Sequence, residues 1–217
     1  MTKIIAIANQ KGGVGKTTTS VNIAASLAAT KRRVLLIDLD PQGNATMACG
    51  ADSRDLEWSA CELLMDECTA SDAIMSFKYL DVIGSNTDLT AAELQLMDQT
   101  NPQTVLREQL SEVAADYDFI LIDCPPSLSI LTINALAAAD SVLIPMQCEY
   151  YALEGLSSLL DTIERVRQTV NPKLEIEGLL RTMFDGRNNL ANDVAAQIRE
   201  HFGSQVFMTV VPRNVKV

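Results

Sequence analysis

Lys11-Gly12-Gly13-Val14-Gly15-Lys16-Thr17-Thr18 combines two cations, three glycines and two hydroxyls within eight residues. Such a stretch is equipped to hold phosphate. Glycines let backbone N–H groups turn inward, and a following helix N-terminus favours anions. Lys16 is placed to reach the β- and γ-phosphates, and a hydroxyl after the lysine is placed to ligate Mg²⁺. Three carboxylates complete the chemistry. Asp38 and Asp40 follow the apolar run Val34-Leu35-Leu36-Ile37, and Asp123 follows Phe119-Ile120-Leu121-Ile122. Carboxylates at strand ends lie on the ligand edge of an open parallel sheet. There they can organise a cation or orient an attacking water. Asp38 and Asp40 differ by two positions, so both share a face if the strand continues that far.

Elements must position these groups. An apolar β-type run over 4–8 precedes the glycine-rich stretch, and a helical pattern follows it. Strands are predicted over 4–8, 34–38, 79–84, 119–124, 141–146, 174–180 and 206–211. Helices are predicted over 17–30, 59–66, 89–97, 104–115, 127–139, 153–170 and 190–202. Runs such as 119–122 are apolar on both faces, which a parallel sheet covered on both sides requires. The alternation predicts a doubly wound, mainly parallel α/β sheet with helices on both faces. Residues 43–75 fit it least well and are expected to form loops and short helices above the sheet edge.

Length and composition agree. The chain has 217 residues, 47% hydrophobic and 21% charged, with no repeat or low-complexity segment. That suits one folded domain over 1–217. No apolar run approaches the ~18 residues of a membrane helix. Met1-Thr2-Lys3 leads directly into the first strand, so no signal peptide is expected. Cys49, Cys61, Cys68, Cys124 and Cys148 form no C-x-x-C pair, which points to thiols in a reducing cytoplasm. The net charge of −11 opposes nucleic-acid binding by bulk electrostatics. It is uneven: residues 181–217 carry five basic against three acidic side chains, so any DNA contact is expected from a local patch there. His201 and Trp58 read as surface and packing residues, and the methionines as core filler.

The glycine-rich stretch departs from the common G-x-x-x-x-G-K-[ST] pattern. Gln10 stands where the first glycine belongs, and Lys11 is an additional lysine. This resembles the deviant Walker A motif of P-loop NTPases, and Ile122-Asp123 resembles a Walker B end. With Asp38-Leu39-Asp40-Pro41-Gln42-Gly43, Ile122-Asp123-Cys124-Pro125-Pro126, Cys148-Glu149-Tyr150-Tyr151 and Val211-Pro212-Arg213-Asn214, the chain resembles the ParA/Soj partition ATPases essentially end to end.

The resemblance implies ATP and Mg²⁺ as cofactors. Gly12, Gly13, Val14, Gly15, Lys16, Thr17 and Thr18 would bind the phosphates. Thr17, Asp38 and Asp123 would serve the metal, and Asp40 would orient water. Lys11 would reach the partner's nucleotide in an ATP-dependent homodimer. Thr182, Pro212 and Asn214 would contact adenine. Arg187, Arg213 and Lys216 would contact double-stranded DNA without sequence preference, and a ParB-type centromere-binding partner would stimulate hydrolysis. The expected location is cytoplasmic and nucleoid-associated, with no membrane partner. Family members continue past the segment around 212–217, which implies a shortened C-terminal side. A MinD-like membrane switch in division-site placement is the alternative, and it needs a C-terminal basic amphipathic helix. A nitrogenase-iron-protein-like reading needs paired cysteines for a dimer-bridging cluster.

Overall fold

The computed structural model describes residues 2–150 and 152–214, so Lys216 lies outside the described residues. The chain order is β1 (Lys3–Ile7), α1 (Lys16–Ala29), β2 (Val34–Asp38), α2 (Asn44–Ala48), α3 (Ala60–Leu64), α4 (Ala70–Ala73), β3 (Ile74–Ser76), β4 (Asp81–Ile83), α5 (Leu89–Leu96), α6 (Val105–Leu110), β5 (Phe119–Asp123), α7 (Ile130–Ala138), β6 (Ser141–Gln147), α8 (Ala152–Thr169), β7 (Glu175–Phe184), α9 (Asn189–Phe202) and β8 (Val206–Pro212).

The strands form one sheet in the order β3-β4-β2-β5-β1-β6-β7-β8. All neighbours are parallel except β3, which runs antiparallel to β4. Side chains alternate between two cores. In β5, Ile120 and Ile122 join the larger core under α3 to α9, while Leu121 joins the smaller one under α1. This is the doubly wound sheet that the two-faced apolar runs predict. The order reverses beside β1, which is flanked by β5 and β6. A crevice outside the strand carboxyl ends is therefore expected at β1, where the glycine-rich stretch begins.

Two departures concern the expected elements. The segment 43–75 holds three short helices, as expected, but also β3, which pairs Ile74, Met75 and Ser76 with Ile83, Val82 and Asp81. The helix predicted over 104–115 stops at Leu110, and its remainder is a 3₁₀ turn at Ala114–Asp116. The methionines are not uniformly core filler: Met146 is buried, whereas Met47, Met97 and Met208 are exposed.

Candidate nucleotide site

The loop between β1 and α1 takes its shape from glycine. Gly13 and Gly15 have φ of +72° and +84°, a left-handed conformation that other L residues rarely adopt. Gly15 is also the N-cap of α1, and no side chain caps that end. The first-turn amides of a 14-residue helix are thus left to an anion, with the helix dipole favouring negative charge.

Side chains from three strands or strand ends hold the loop. The Asn9 Oδ1 accepts from the Lys11 amide at 2.9 Å, and its Nδ2 donates to the Pro145 carbonyl at 2.8 Å. Gln147 Nε2 donates to the Gly13 carbonyl at 2.8 Å. The buried Thr182 hydroxyl donates to the Val14 carbonyl at 2.7 Å. Asn9 and Gln147 carry no motif signal in the sequence, and their roles appear only once β1, β6 and β7 are neighbours.

Lys16 opens α1 and is buried, with its Nζ 3.3 Å from the Lys11 carbonyl. Burial lowers its pKa, while the nearby Asp123, Cys124 and Asp40 pull it back up. Asp123, at the end of β5, is completely buried. Its Oδ1 accepts from the Ser20 hydroxyl at 2.7 Å, and its Oδ2 has no hydrogen-bond partner. Burial pushes this carboxyl from 3.8 up to about 7, opposed by the Thr17 and Ser20 hydroxyls. An orphaned buried carboxylate oxygen beside a lysine and a threonine is a group short of a cation.

Asp38 and Asp40 are brought together differently from the pleat expectation. β2 ends at Asp38, and the chain then turns, so that the Asp40 amide donates to Asp38 Oδ1 at 3.1 Å. Asp38 Oδ2 accepts from both the Thr46 amide (2.9 Å) and the Thr46 hydroxyl (2.8 Å). Thr46 Oγ1 in turn accepts from the Ser85 amide at 2.9 Å. Asp38 therefore ties β2, α2 and the end of β4 together from a fully buried position. Burial raises its pKa despite these donors. Asp40 accepts from the Gln42 amide at 3.0 Å, and the turn closes through Gly43. Gly43 has φ +63°, and a Cβ there would meet the Ser85 carbonyl oxygen at 2.8 Å. Glycine is what this turn permits.

The Asp123 carboxyl sets a pH prediction. Its folded value lies above the 3.8 of a free carboxyl, so the folded protein holds an extra proton between about pH 4 and 7. Stability from this group is therefore lost as pH rises through 7. Asp123→Asn is expected to raise the unfolding temperature of nucleotide-stripped protein by several degrees at pH 8 and far less at pH 5. Thermal unfolding at the two pH values checks this; an equal change at both assigns the effect to packing.

A pocket of about 390 Å³ adjoins the loop, lined by Gly15, Thr18, Thr182, Met183, Pro212 and Asn214 among others. The structure therefore gathers the three residues expected at adenine, although the Thr182 hydroxyl is already engaged with Val14. Arg187 and Arg213 share a shallow concavity with Asp185 and Asn214. Arg187 is exposed and forms a two-point pair with Asp185 at 2.9 Å. Lys11 Nζ reaches Glu149 of its own chain at 2.5 Å, and both side chains are substantially exposed. The arrangement as a whole can hold a polyphosphate, its counter-cation and an attached ring along one sheet edge.

The chain is similar to known proteins. A family model described as an AAA domain matches residues 2–176. The chain is 52% identical to the chromosome partitioning protein ParA of Myxococcus xanthus, over 99% of this chain and 77% of that protein. It is 50% identical to the chromosome-partitioning ATPase Soj of Thermus thermophilus, over 98% and 82%. Among solved structures it resembles the cobyrinic acid a,c-diamide synthase of Mycobacterium smegmatis with bound ATP analog and magnesium, at TM-score 0.94 and 39% identity, over 99% of this chain and 88% of that one.

Proposed function

Since this chain belongs to the ParA/Soj family of partition ATPases, we propose that it is an ATP-timed DNA attachment protein. ATP is the substrate and Mg²⁺ the cation, and water is the acceptor of the γ-phosphoryl group. The observation that carries this reading is the convergence of the glycine loop, Lys16, Asp123 and Asp40 on the carboxyl edge of the sheet beside β1.

The protein's own groups divide the work. The loop amides and Lys16 hold the phosphates. Thr17 and the orphaned Asp123 oxygen fit Mg²⁺, which commonly keeps waters and substrate oxygens and needs few protein ligands. No group of three or more His, Cys, Asp or Glu among the described residues could hold a metal unaided, in keeping with a site completed by phosphate. When bound, Mg²⁺ neutralises charge on the phosphate oxygens. Asp40, held by the Gln42 amide near Lys16, orients the attacking water, and Asp38 keeps that turn in place. Pro212, Asn214 and the Thr182 backbone region receive adenine.

The ATP-bound state is a sandwich homodimer in which Lys11 leaves Glu149 and reaches the partner's nucleotide. Exposure of both side chains favours this, since an exposed ion pair is worth only about 0–1 kcal/mol. The dimer holds double-stranded DNA through phosphate contacts from Arg187 and Arg213, with Lys216 nearby in sequence. A ParB-type partner stimulates hydrolysis and releases it. The protein works in the cytoplasm on the nucleoid. No helix among the described residues is long and apolar enough to cross a membrane.

Binding to random duplex DNA with ATP, with ADP and without nucleotide, at two salt concentrations, tests the reading. ATP-dependent, salt-weakened binding supports it, whereas equal binding in all three states removes the switch. Arg187→Glu places a carboxylate where a phosphate contact is proposed, beside Asp185. DNA affinity is expected to fall about tenfold or more while ATP-dependent dimerisation persists. Loss of the dimer, measured by light scattering, would give Arg187 a structural role instead.

A further inference from the structure

Arg181 is a buried arginine with no carboxylate partner, and none of the nucleotide chemistry above uses it. It sits on β7, only 5% exposed, one residue before Thr182. Burial lowers its pKa first and Arg199 lowers it further, with only the Cys148 thiol opposing them. Its aromatic contact is with Phe184, whose ring lies 5.7 Å from the guanidinium. A buried unpaired guanidinium is costly, so its position calls for a structural return.

The return lies in the edge strand. β7 and β8 pair Leu179 with Val206, Arg181 with Val210, and Phe184 with Pro212. Two steps along β7 are matched by four along β8, so the parallel ladder cannot be regular there. The excess falls in 207–209. Arg181 Nη2 donates to the Phe207 carbonyl at 3.0 Å and to the Met208 carbonyl at 3.2 Å. The opposite side of the irregularity is seated on Gly178, where a Cβ would lie 2.6 Å from the Phe207 ring. Such bulges re-aim the chain that follows them. Here the following residues are Val211, Pro212, Arg213 and Asn214, which with Thr182 and Met183 wall the pocket beside the glycine loop.

We propose that Arg181 is a positioning residue for nucleotide selectivity: by stapling the Phe207 and Met208 carbonyls, it fixes the bulge that delivers 211–214 to the base pocket. This rests on the reading of that pocket as the adenine site. The phosphate cradle is anchored by Asn9 and Gln147 as well as by the Thr182 hydroxyl, none of which bonds to 207–209, so a change in the bulge is expected to act on base recognition more than on phosphate recognition.

The test uses the full chain and compares ADP, GDP and pyrophosphate binding, each with Mg²⁺, in the unaltered protein, Arg181→Met and Arg181→Lys. Arg181→Met is expected to weaken ADP about tenfold, to leave pyrophosphate within about twofold, and to narrow the ADP-over-GDP preference. Arg181→Lys retains a single donor group and is expected to fall between, which keeps the test usable if the Met variant does not fold. Equal losses for ADP and pyrophosphate, or an unchanged ADP preference in both variants, would overturn the positioning role. Should the unaltered protein itself bind ADP no better than pyrophosphate or GDP, the adenine reading of the pocket fails first, and this inference with it.

Discussion

Lys16→Ala is expected to weaken Mg·ATP binding by about 100-fold, roughly 2.7 kcal/mol, and to abolish measurable turnover. The ammonium is buried at the head of α1, 3.3 Å from the Lys11 carbonyl and close enough to Asp123 and Asp40 to feel both charges. Its removal takes a charge-assisted donor from the phosphates. It also leaves a fully buried Asp123 without its nearest cation, so the Asp123 carboxyl moves still higher and becomes a poorer partner for Mg²⁺. Both effects act in one direction. Isothermal titration with ATP, alongside an unfolding scan to confirm a folded variant, measures the loss. Binding within threefold of the unaltered protein would mean that the loop amides alone hold the phosphates.

Asp40→Ala is expected to separate binding from chemistry. ATP should bind within about threefold, while hydrolysis falls by about 10²–10³, in line with losing a group that positions the nucleophile. The protein should then accumulate as an ATP-bound dimer on DNA. The Asp40 carboxylate also accepts from the Gln42 amide, so alanine loosens the turn as well. Asp40→Asn keeps that acceptor and removes only the charge. Single-turnover phosphate release in the two variants distinguishes the roles. If Asn restores turnover, Asp40 shapes the turn; if both are slow, its charge orients water.

Much of this arrangement was legible in residue order, because it depends on local signals. The glycine loop, the apolar runs ending in Asp38 and Asp123, and the alternation of elements each reside in one continuous segment. What escaped was long-range or slight. Gln147 and Gly13 are far apart in sequence, as are Thr46 and Ser85, and only the sheet order brings them together. Ser20 reads as an ordinary helix residue until α1 packs on β5. β3 has three residues, too few for a period-2 pattern to register. The slipped register of β8 leaves no trace in composition, since 206–211 reads as a smooth apolar strand. The carbonyls it leaves at Phe207 and Met208 are met by Arg181, a charged side chain on the neighbouring strand.

The triple anchorage of the glycine loop has a kinetic consequence. Asn9, Gln147 and Thr182 hold the Lys11 amide and the Gly13 and Val14 carbonyls against the sheet. Little backbone entropy remains to be lost when a phosphate arrives, so the cradle is preorganised and its capture step needs no rearrangement. On the proposed reading, timing would then belong to the side chains at the rim. In the proposed cycle the rigid cradle would be the fixed frame of a clock, and its moving hand would be Lys11, which among the described residues pairs with an exposed glutamate.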